Sequence, residues 1–363
     1  MTPTSVRMPL VSAVDVSKEF VSAESFLSRR LGGAGTRRTL AVDCVDLDIY
    51  SGQTVGLVGE SGCGKSTFGR TLVGLTQPTS GQVFYDRLPV WGVDRLSRAD
   101  LKRRAQMIFQ NPYSSLNPRY TVRHTIGVAL SARGVRPGDR ESEARSLIIR
   151  VGLTPGYLDR YPHQLSGGQR QRVGIARALA MRPLFIVADE PLSSLDVSVQ
   201  AQIITLLQDL QSEYGLSYLL ISHDLRVVYY MSDTVAVMYR GQIVESASAD
   251  DLFSRPSHPY TQELLSAISG SGHRLSRRLS RKAASASGAE RGSRGRAAND
   301  AARALDPLGC RFAHRCLAAT GKCASESPAL AQLSEYSESS PHLVRCHNPV
   351  PVPAGMEGRC VSG

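Results

Sequence analysis

Thr54-Val55-Gly56-Leu57-Val58, followed directly by Gly59-Glu60-Ser61-Gly62-Cys63-Gly64-Lys65-Ser66-Thr67, decides how this 363-residue chain is read. The first five residues are a short continuous apolar run, the pattern of a strand buried on both faces of a parallel sheet. The next nine satisfy G-x-x-x-x-G-K-[ST], and Phe68, Leu72, Val73 and Leu75 then recur at helical spacing. A loop between such a strand and helix wraps a triphosphate with backbone N–H groups. Glycines permit the backbone angles and the close approach, and the helix N-terminus adds orphan N–H groups and the positive end of its dipole. Lys65 is placed to neutralise the β/γ oxygens and Ser66 to ligate Mg²⁺. The chain has only five lysines (Lys18, Lys65, Lys102, Lys282 and Lys322), so a lysine at this position is hard to ascribe to chance.

Working outward, residues 42–49 alternate, with Val45, Leu47 and Ile49 on one face, and Ser51-Gly52 turns the chain. Further short apolar runs at Gln106 to Phe109, Leu184 to Ala188 and Tyr218 to Ile221 alternate with helical patterns such as Val197 to Glu213. Strands alternating with helices predict an α/β fold with a parallel sheet. The stretch between Gln110 and Leu184 has no strand-like run. Thr121 to Arg133 and Arg140 to Val151 are amphipathic at the helical period, so a helical subdomain is expected over about 112–182. After Gly241 come a strand-like piece, Gln242 to Ser246, and helices near Ala249 to Phe253 and Pro259 to Ile268. No internal repeat is found.

Leu184-Phe185-Ile186-Val187-Ala188-Asp189-Glu190 is an apolar strand ending in two carboxylates. Ligands of parallel sheets sit beyond the C-terminal strand ends, which places Asp189 to hold the Mg²⁺ shell and Glu190 to orient or deprotonate the attacking water. Leu165-Ser166-Gly167-Gly168-Gln169 opens a helix running Arg170 to Met181; it reads as a second anion-binding helix end or as a plain helix cap.

The formal charge is +11, and residues 273–304 carry nine Arg or Lys against two acids, a net of +7. That Ser/Ala/Gly/Arg-rich stretch has too few apolar residues for a core and reads as a disordered basic linker, with contact to anionic lipid or RNA as the alternative. No run approaches the ~20 apolar residues of a membrane-spanning helix, and the first residues lack the basic-then-apolar order of a secretory signal, so the chain is expected in the cytoplasm. Of seven cysteines, Cys310, Cys316, Cys323 and Cys346 crowd beyond the linker, while Cys44, Cys63 and Cys360 lie apart. In a reducing compartment such crowding points to metal more than to disulfides. Thiolates suit zinc and iron–sulfur equally by type, paired C-x2-C spacing is missing, and metal-free thiols remain the third reading.

Together these residues resemble the ATP-binding-cassette (ABC) ATPase family. Gly59 to Thr67 resembles its Walker A, Leu165 to Gln169 its signature, Leu184 to Glu190 its Walker B, Ser193-Ser194-Leu195-Asp196 its D-loop, Gln110 its bridging glutamine, and His223, in Ile221-Ser222-His223-Asp224, its switch histidine. The resemblance implies a P-loop NTPase cassette over 10–255, with a parallel-sheet core, an antiparallel β part and the inserted helical subdomain. It implies ATP and Mg²⁺ as ligands, with Gly59, Glu60, Ser61, Gly62, Cys63, Gly64, Lys65, Ser66, Thr67, Ser166, Gly167, Gly168, Gln169 and Asp196 binding nucleotide. Ser66, Gln110 and Asp189 would hold Mg²⁺, and Glu190, His223 and Gln110 would carry catalysis. An adenine-stacking aromatic should precede Walker A; Phe20 is the candidate, although residues 21–39 interrupt the usual spacing.

Gln110 to Pro118, His258-Pro259-Tyr260-Thr261 and the late cysteines are similar to the oligopeptide/dipeptide importer ATPases, some relatives of which import nickel. This implies a C-terminal helix over 256–272 and a Cys-containing tail over 305–350 holding a [4Fe–4S] cluster. It also implies a head-to-tail dimer with an identical or homologous second ATPase, membrane permease subunits, an extracytoplasmic solute-binding protein reached indirectly, and a peripheral place on the cytoplasmic face of the membrane. A soluble ABC ATPase acting on ribosomes or nucleic acid is the competing reading, but specific nucleic-acid binding is not expected.

Overall fold

The structure, a computed structural model, describes residues 8–23, 36–111, 115–193, 195–266, 308–334, 336 and 341–349. The basic stretch 273–304, Pro112 to Ser114, Ser194 and Cys360 lie outside the described residues. Two compact units divide between Thr234 and Val235.

The first unit opens with β1 (Val11–Ala23) and β2 (Thr36–Ile49), which pair antiparallel. Next come β3 (Thr54–Val58), α1 (Lys65–Leu72), β4 (Ser80–Tyr85), β5 (Leu88–Pro89), α2 (Arg98–Arg104) and β6 (Ala105–Ile108). The helical stretch follows: α3 (Val122–Arg133), α4 (Arg140–Arg150) and α5 (Gly167–Leu179), with no strand among the described residues between Ile108 and Phe185. β7 (Phe185–Asp189), α6 (Val197–Tyr214), β8 (Ser217–Ile221) and α7 (Leu225–Met231) complete the unit. β3, β8, β7 and β6 form a parallel sheet in that order, in register Leu57 with Ile221, Asp189 with Ile221 and Ile108 with Ala188. β3, β7 and β8 are buried along their whole length, as the continuous apolar runs predict.

A second, antiparallel sheet runs β2-β1-β4-β5. Its strands are hard to read because the alternation is broken. Asp15 and Cys44 adopt φ of +50° and +47°, and the pairing register shifts beside them, so Val42 is buried along with Val45 and Ile49 although it is out of phase with them. The Asp15 N–H donates to Asp46 Oδ1 at 2.8 Å, and a Cβ at Gly81 would lie 2.0 Å from the Asp15 carbonyl, so the bulge demands glycine there. Leu75 departs from expectation. Gly74, at φ +74°, ends α1, and Leu75 is left outside it and 58% exposed.

The second unit contains β9 (Thr234–Tyr239), β10 (Gln242–Ser248), α8 (Ala249–Ser254), α9 (Pro259–Ser266), α10 (Gly321–Ser325), β11 (Ala331–Gln332) and β12 (Leu343–Val344). β12 pairs with β10, Glu245 opposite Val344, so the late residues extend this unit's own sheet. Glu245 is fully buried and anchors the arrangement. Its carboxylate accepts the Ser257 and His258 N–H groups at 2.6 and 2.9 Å, just ahead of α9, and lies 2.7 Å from Nε2 of the equally buried His342. Phe312, 2% exposed, packs among Tyr239, Tyr260 and His258. Burial lowers the His258 imidazole to about 4, keeping that ring neutral in the aromatic box at physiological pH.

Candidate functional site: a phosphate loop and a shared carboxylate

The site gathers at the C-terminal ends of β3, β6, β7 and β8. After β3 the chain turns through Gly59, Gly62 and Gly64, with φ of +150°, +78° and +113°, values that side chains with a Cβ rarely adopt. Gly64 is the N-cap of α1, and no side chain caps that helix, which leaves its first N–H groups to face an anion. Lys65 is 6% exposed, and its ammonium donates to the carbonyls of Gly59 at 2.7 Å and Glu60 at 2.8 Å. The cation therefore lies across the mouth of its own loop. Cys63 Sγ is 3.6 Å from the same ammonium, and burial raises its thiol pKa more than that charge lowers it.

The Ser66 hydroxyl donates to Asp189 Oδ1 at 2.8 Å. Asp189 is 1% exposed; burial pushes its carboxyl above the ordinary range, against the Ser66 hydrogen bond and the charges of Arg70 and Lys65, which pull it down. A hydroxyl and a carboxylate side by side are hard oxygen donors suited to Mg²⁺, so these residues fit the ion. When bound, Mg²⁺ would neutralise phosphate charge as it develops.

Glu190 sits one residue on, at φ +45°, a conformation uncommon for a residue other than glycine, and its N–H donates to the Ile221 carbonyl at 2.9 Å. That turn presents the carboxylate to two groups at once. The Gln110 amide donates to Glu190 Oε2 at 2.7 Å, and His223 Nδ1 lies 3.5 Å from the same oxygen. Gln110 follows β6 and His223 follows β8, so three separate strand ends converge on one oxygen. Residues more than thirty positions apart in sequence meet there, as expected of a base and the groups that orient it.

The signature residues make their hydrogen bonds elsewhere. Ser166 is the N-cap of α5, its hydroxyl accepting from the Gln169 N–H at 3.3 Å while Gln169 Oε1 accepts from the Ser166 N–H at 2.9 Å. Gln169 also donates to the Tyr157 hydroxyl at 3.0 Å. Of the two readings of this pentapeptide, the cap is present within the chain. Gly168 has a packing reason as well: a Cβ there would lie 2.6 Å from Val199 Cγ1 on α6. Asp196 holds the N-cap position of α6 without making a cap hydrogen bond. Phe20 is 46% exposed on β1, with the Lys18 ammonium 5.3 Å from its ring centroid, so it is no core residue.

In the second unit, Cys310, Cys316, Cys323 and Cys346 are near enough to act on one another electrostatically, and the Cys310 N–H donates to the Cys323 carbonyl at 2.8 Å. Burial raises the Cys310, Cys316 and Cys346 thiols, Cys346 to about 11, which favours their protonated forms. Among the described residues no three His, Cys, Asp or Glu side chains stand as a ligand set for a metal ion.

Comparison with known proteins agrees with this geometry. The family model for ABC transporters matches residues 42–193, and that for the C-terminal region of oligopeptide/dipeptide transporters matches residues 244–323. The oligopeptide transport ATP-binding protein AppF of Bacillus subtilis (strain 168) is 41% identical over 336 residues, 92% of this chain and 95% of AppF. The chain belongs to the ATP-binding proteins of ABC transporters. Another member of that family, the oligopeptide transport ATP-binding protein OppF of the same organism, is 52% identical over 231 residues, 63% of this chain and 76% of OppF. The dimeric, post-hydrolysis structure of the ATP-binding cassette MJ0796 bound to ADP and Pi superposes with a TM-score of 0.56 at 27% identity, covering 66% of this chain and 98% of that one. As an ABC ATP-binding protein, the chain has the cassette fold of the P-loop NTPases and is an ATPase.

Sequence reasoning missed β1, β4, β5, α2, α7, β9, α10, β11 and β12, along with Glu245, the buried centre of the second unit. The signal for Glu245 was weak, because its strand Gln242-Ile243-Val244-Glu245-Ser246-Ala247-Ser248 mixes polar with apolar residues and one more carboxylate does not stand out.

Proposed function

We propose that this chain is the energising subunit of an importer of oligopeptides or dipeptides, working with membrane permease subunits at the cytoplasmic face of the membrane. The convergence of Gln110, Glu190 and His223 on one carboxylate oxygen, beside the Lys65, Ser66 and Asp189 cluster, carries the ATPase part. The match of residues 244–323 to the oligopeptide/dipeptide transporter region supports the solute class. Among the described residues no helix is long and apolar enough to cross a membrane.

In this reading the N–H groups of the loop from Gly59 to Thr67, with Lys65, hold the phosphates; Ser66, Asp189 and Gln110 hold Mg²⁺; Phe20 stacks on adenine. Glu190 takes the proton from water, and His223 senses the γ-phosphate. Ser166, Gly167, Gly168 and Gln169 of one copy, with Asp196, face the nucleotide of a second ATPase in a head-to-tail dimer. Neither copy alone would then supply the full set of groups around the γ-phosphate, and closure with hydrolysis would drive the permease. Affinity purification of Glu190→Gln from solubilised membranes with ATP should recover multi-span permease subunits. Recovery of ribosomal proteins or nucleic acid without a permease would replace this reading with that of a soluble ATPase.

Because burial raises the Asp189 carboxyl, protons compete with Mg²⁺ at a higher pH than at an ordinary carboxylate. The thermal stabilisation conferred by Mg-ATP is therefore expected to shrink as pH falls through that raised value. Without metal the sign reverses: the contribution of a raised carboxyl is full below its unfolded pKa and is lost as pH rises through the folded one. Melting temperature against pH, with and without Mg-ATP, checks both limbs, and Asp189→Asn should flatten them.

A narrower proposal is that Cys310, Cys316, Cys323 and Cys346, although not arranged as a ligand set in this structure, would be the thiolate ligands of a [4Fe–4S] cluster, losing their protons to iron. Anaerobically purified protein should then contain iron and sulfide in equal amounts with visible charge-transfer absorption, both lost in Cys323→Ser. Iron-free protein in which all four thiols react with a thiol reagent would overturn it.

A further inference from the structure

One side chain joins the signature helix to both flanks of the loop that carries Gln110. Arg177 lies on α5, about 16 Å along the helix from Ser166 at ~1.5 Å per residue. Its guanidinium carbon is 5.8 Å from the Phe109 ring centroid, and Nη1 donates to the Ser115 carbonyl. Phe109 immediately precedes Gln110, and Ser115 lies where the described chain resumes after it. A single planar cation thus touches the Phe109 side chain just before Gln110 and the Ser115 backbone carbonyl beyond it.

Packing alone does not account for an arginine here. Arg177 is half-buried, partial burial lowers its pKa, and among the described residues no carboxylate forms an ion pair with it. Withdrawing even part of a guanidinium from water without a counter-charge has a cost, and an apolar side chain of similar length would cover Phe109 without it. What arginine alone supplies is a rigid fork that stacks on a ring and donates to a carbonyl at the same time. Beneath it Ile108, Leu116, Val173 and Ala176 share one buried core, so the contact sits over a close-packed floor that transmits displacement.

We infer that Arg177 is a positioning residue that makes the Gln110 loop and the signature helix move together, so that a change in what Gln110 contacts reaches Ser166 to Gln169 at the far end of α5. The inference rests on the proposed role of Gln110 at the nucleotide.

Hydrogen exchange on the full-length Glu190→Gln chain, with and without Mg-ATP, tests it. In that parent protein Mg-ATP is expected to slow exchange both at 107–111 and at 166–179. With Arg177→Met added, slowing at 107–111 and ATP affinity should persist, while slowing at 166–179 should fall by more than about tenfold, since one cation–π contact and one charged hydrogen bond together exceed that scale. Arg177→Lys, which keeps the charge and loses the fork, should fall between. Phe109→Leu removes the π face at nearly constant apolar volume and should give a weaker uncoupling, a second route if Arg177→Met does not fold. Concerted slowing of both segments in Arg177→Met, or faster exchange throughout α5 regardless of nucleotide, would overturn the inference. Absence of slowing at 107–111 in the parent would instead remove the Gln110 reading, and the strut with it.

Discussion

Glu190→Gln is expected to lower ATP turnover about 10²–10⁴-fold, the range lost with a general base, while ATP binding stays within twofold of the parent chain. The carboxylate has one oxygen on which Gln110 and His223 converge and no side-chain contact with Lys65 or Ser66, so removing its negative charge leaves the phosphate loop undisturbed. The isosteric amide keeps the φ +45° turn and its N–H bond to Ile221. Steady-state phosphate release and nucleotide binding to the same preparation separate the two effects, and ATP should hold the variant as a dimer in size-exclusion chromatography. Undiminished phosphate release would remove Glu190 as the base.

Gly168→Val should produce the other large effect, by a mechanism that leaves the phosphate loop alone. A Cβ at this position would lie 2.6 Å from Val199 Cγ1, and Val199 is a short, branched side chain on α6 with little freedom to withdraw. The N-terminal turn of α5 must move. Overpacking of this kind costs ~1–3 kcal/mol, to be read as a lowered melting temperature. Shifting the signature turn by about 1 Å should reduce turnover on the order of 10²-fold, with nucleotide affinity of the isolated chain nearly unchanged. Substituting Val199→Ala alongside should restore part of the turnover, since it removes the atom that the new side chain strikes. If the double variant is no better than the single one, the lesion is not this contact.

Several functional elements could be read locally because their chemistry demands particular residues at short spacing. The phosphate loop needs glycines where φ is positive, and Gly59, Gly62 and Gly64 have it. The strand ahead of Glu190 is buried throughout, so its apolar run carries its own signal. The antiparallel sheet lacked such a signal, because bulges at Asp15 and Cys44 move the buried side chains out of alternation. The signature pentapeptide was ambiguous for a different reason: its hydroxyl and glycines serve a helix cap and a contact with Val199 as well as an anion.

The phosphate loop, the acidic strand end, the α/β class and the family are legible along the chain, because each depends on residue types close together in sequence. Folding in three dimensions is what lets Gln110 and His223 share one oxygen of Glu190, Glu245 hold Ser257, His258 and His342, and Arg177 span from Phe109 to Ser115. Each of those contacts joins groups brought near by strand order and helix packing. A sequence pattern reports which face of an element is buried, whereas the partner that a buried polar group finds is set by which other elements close over it.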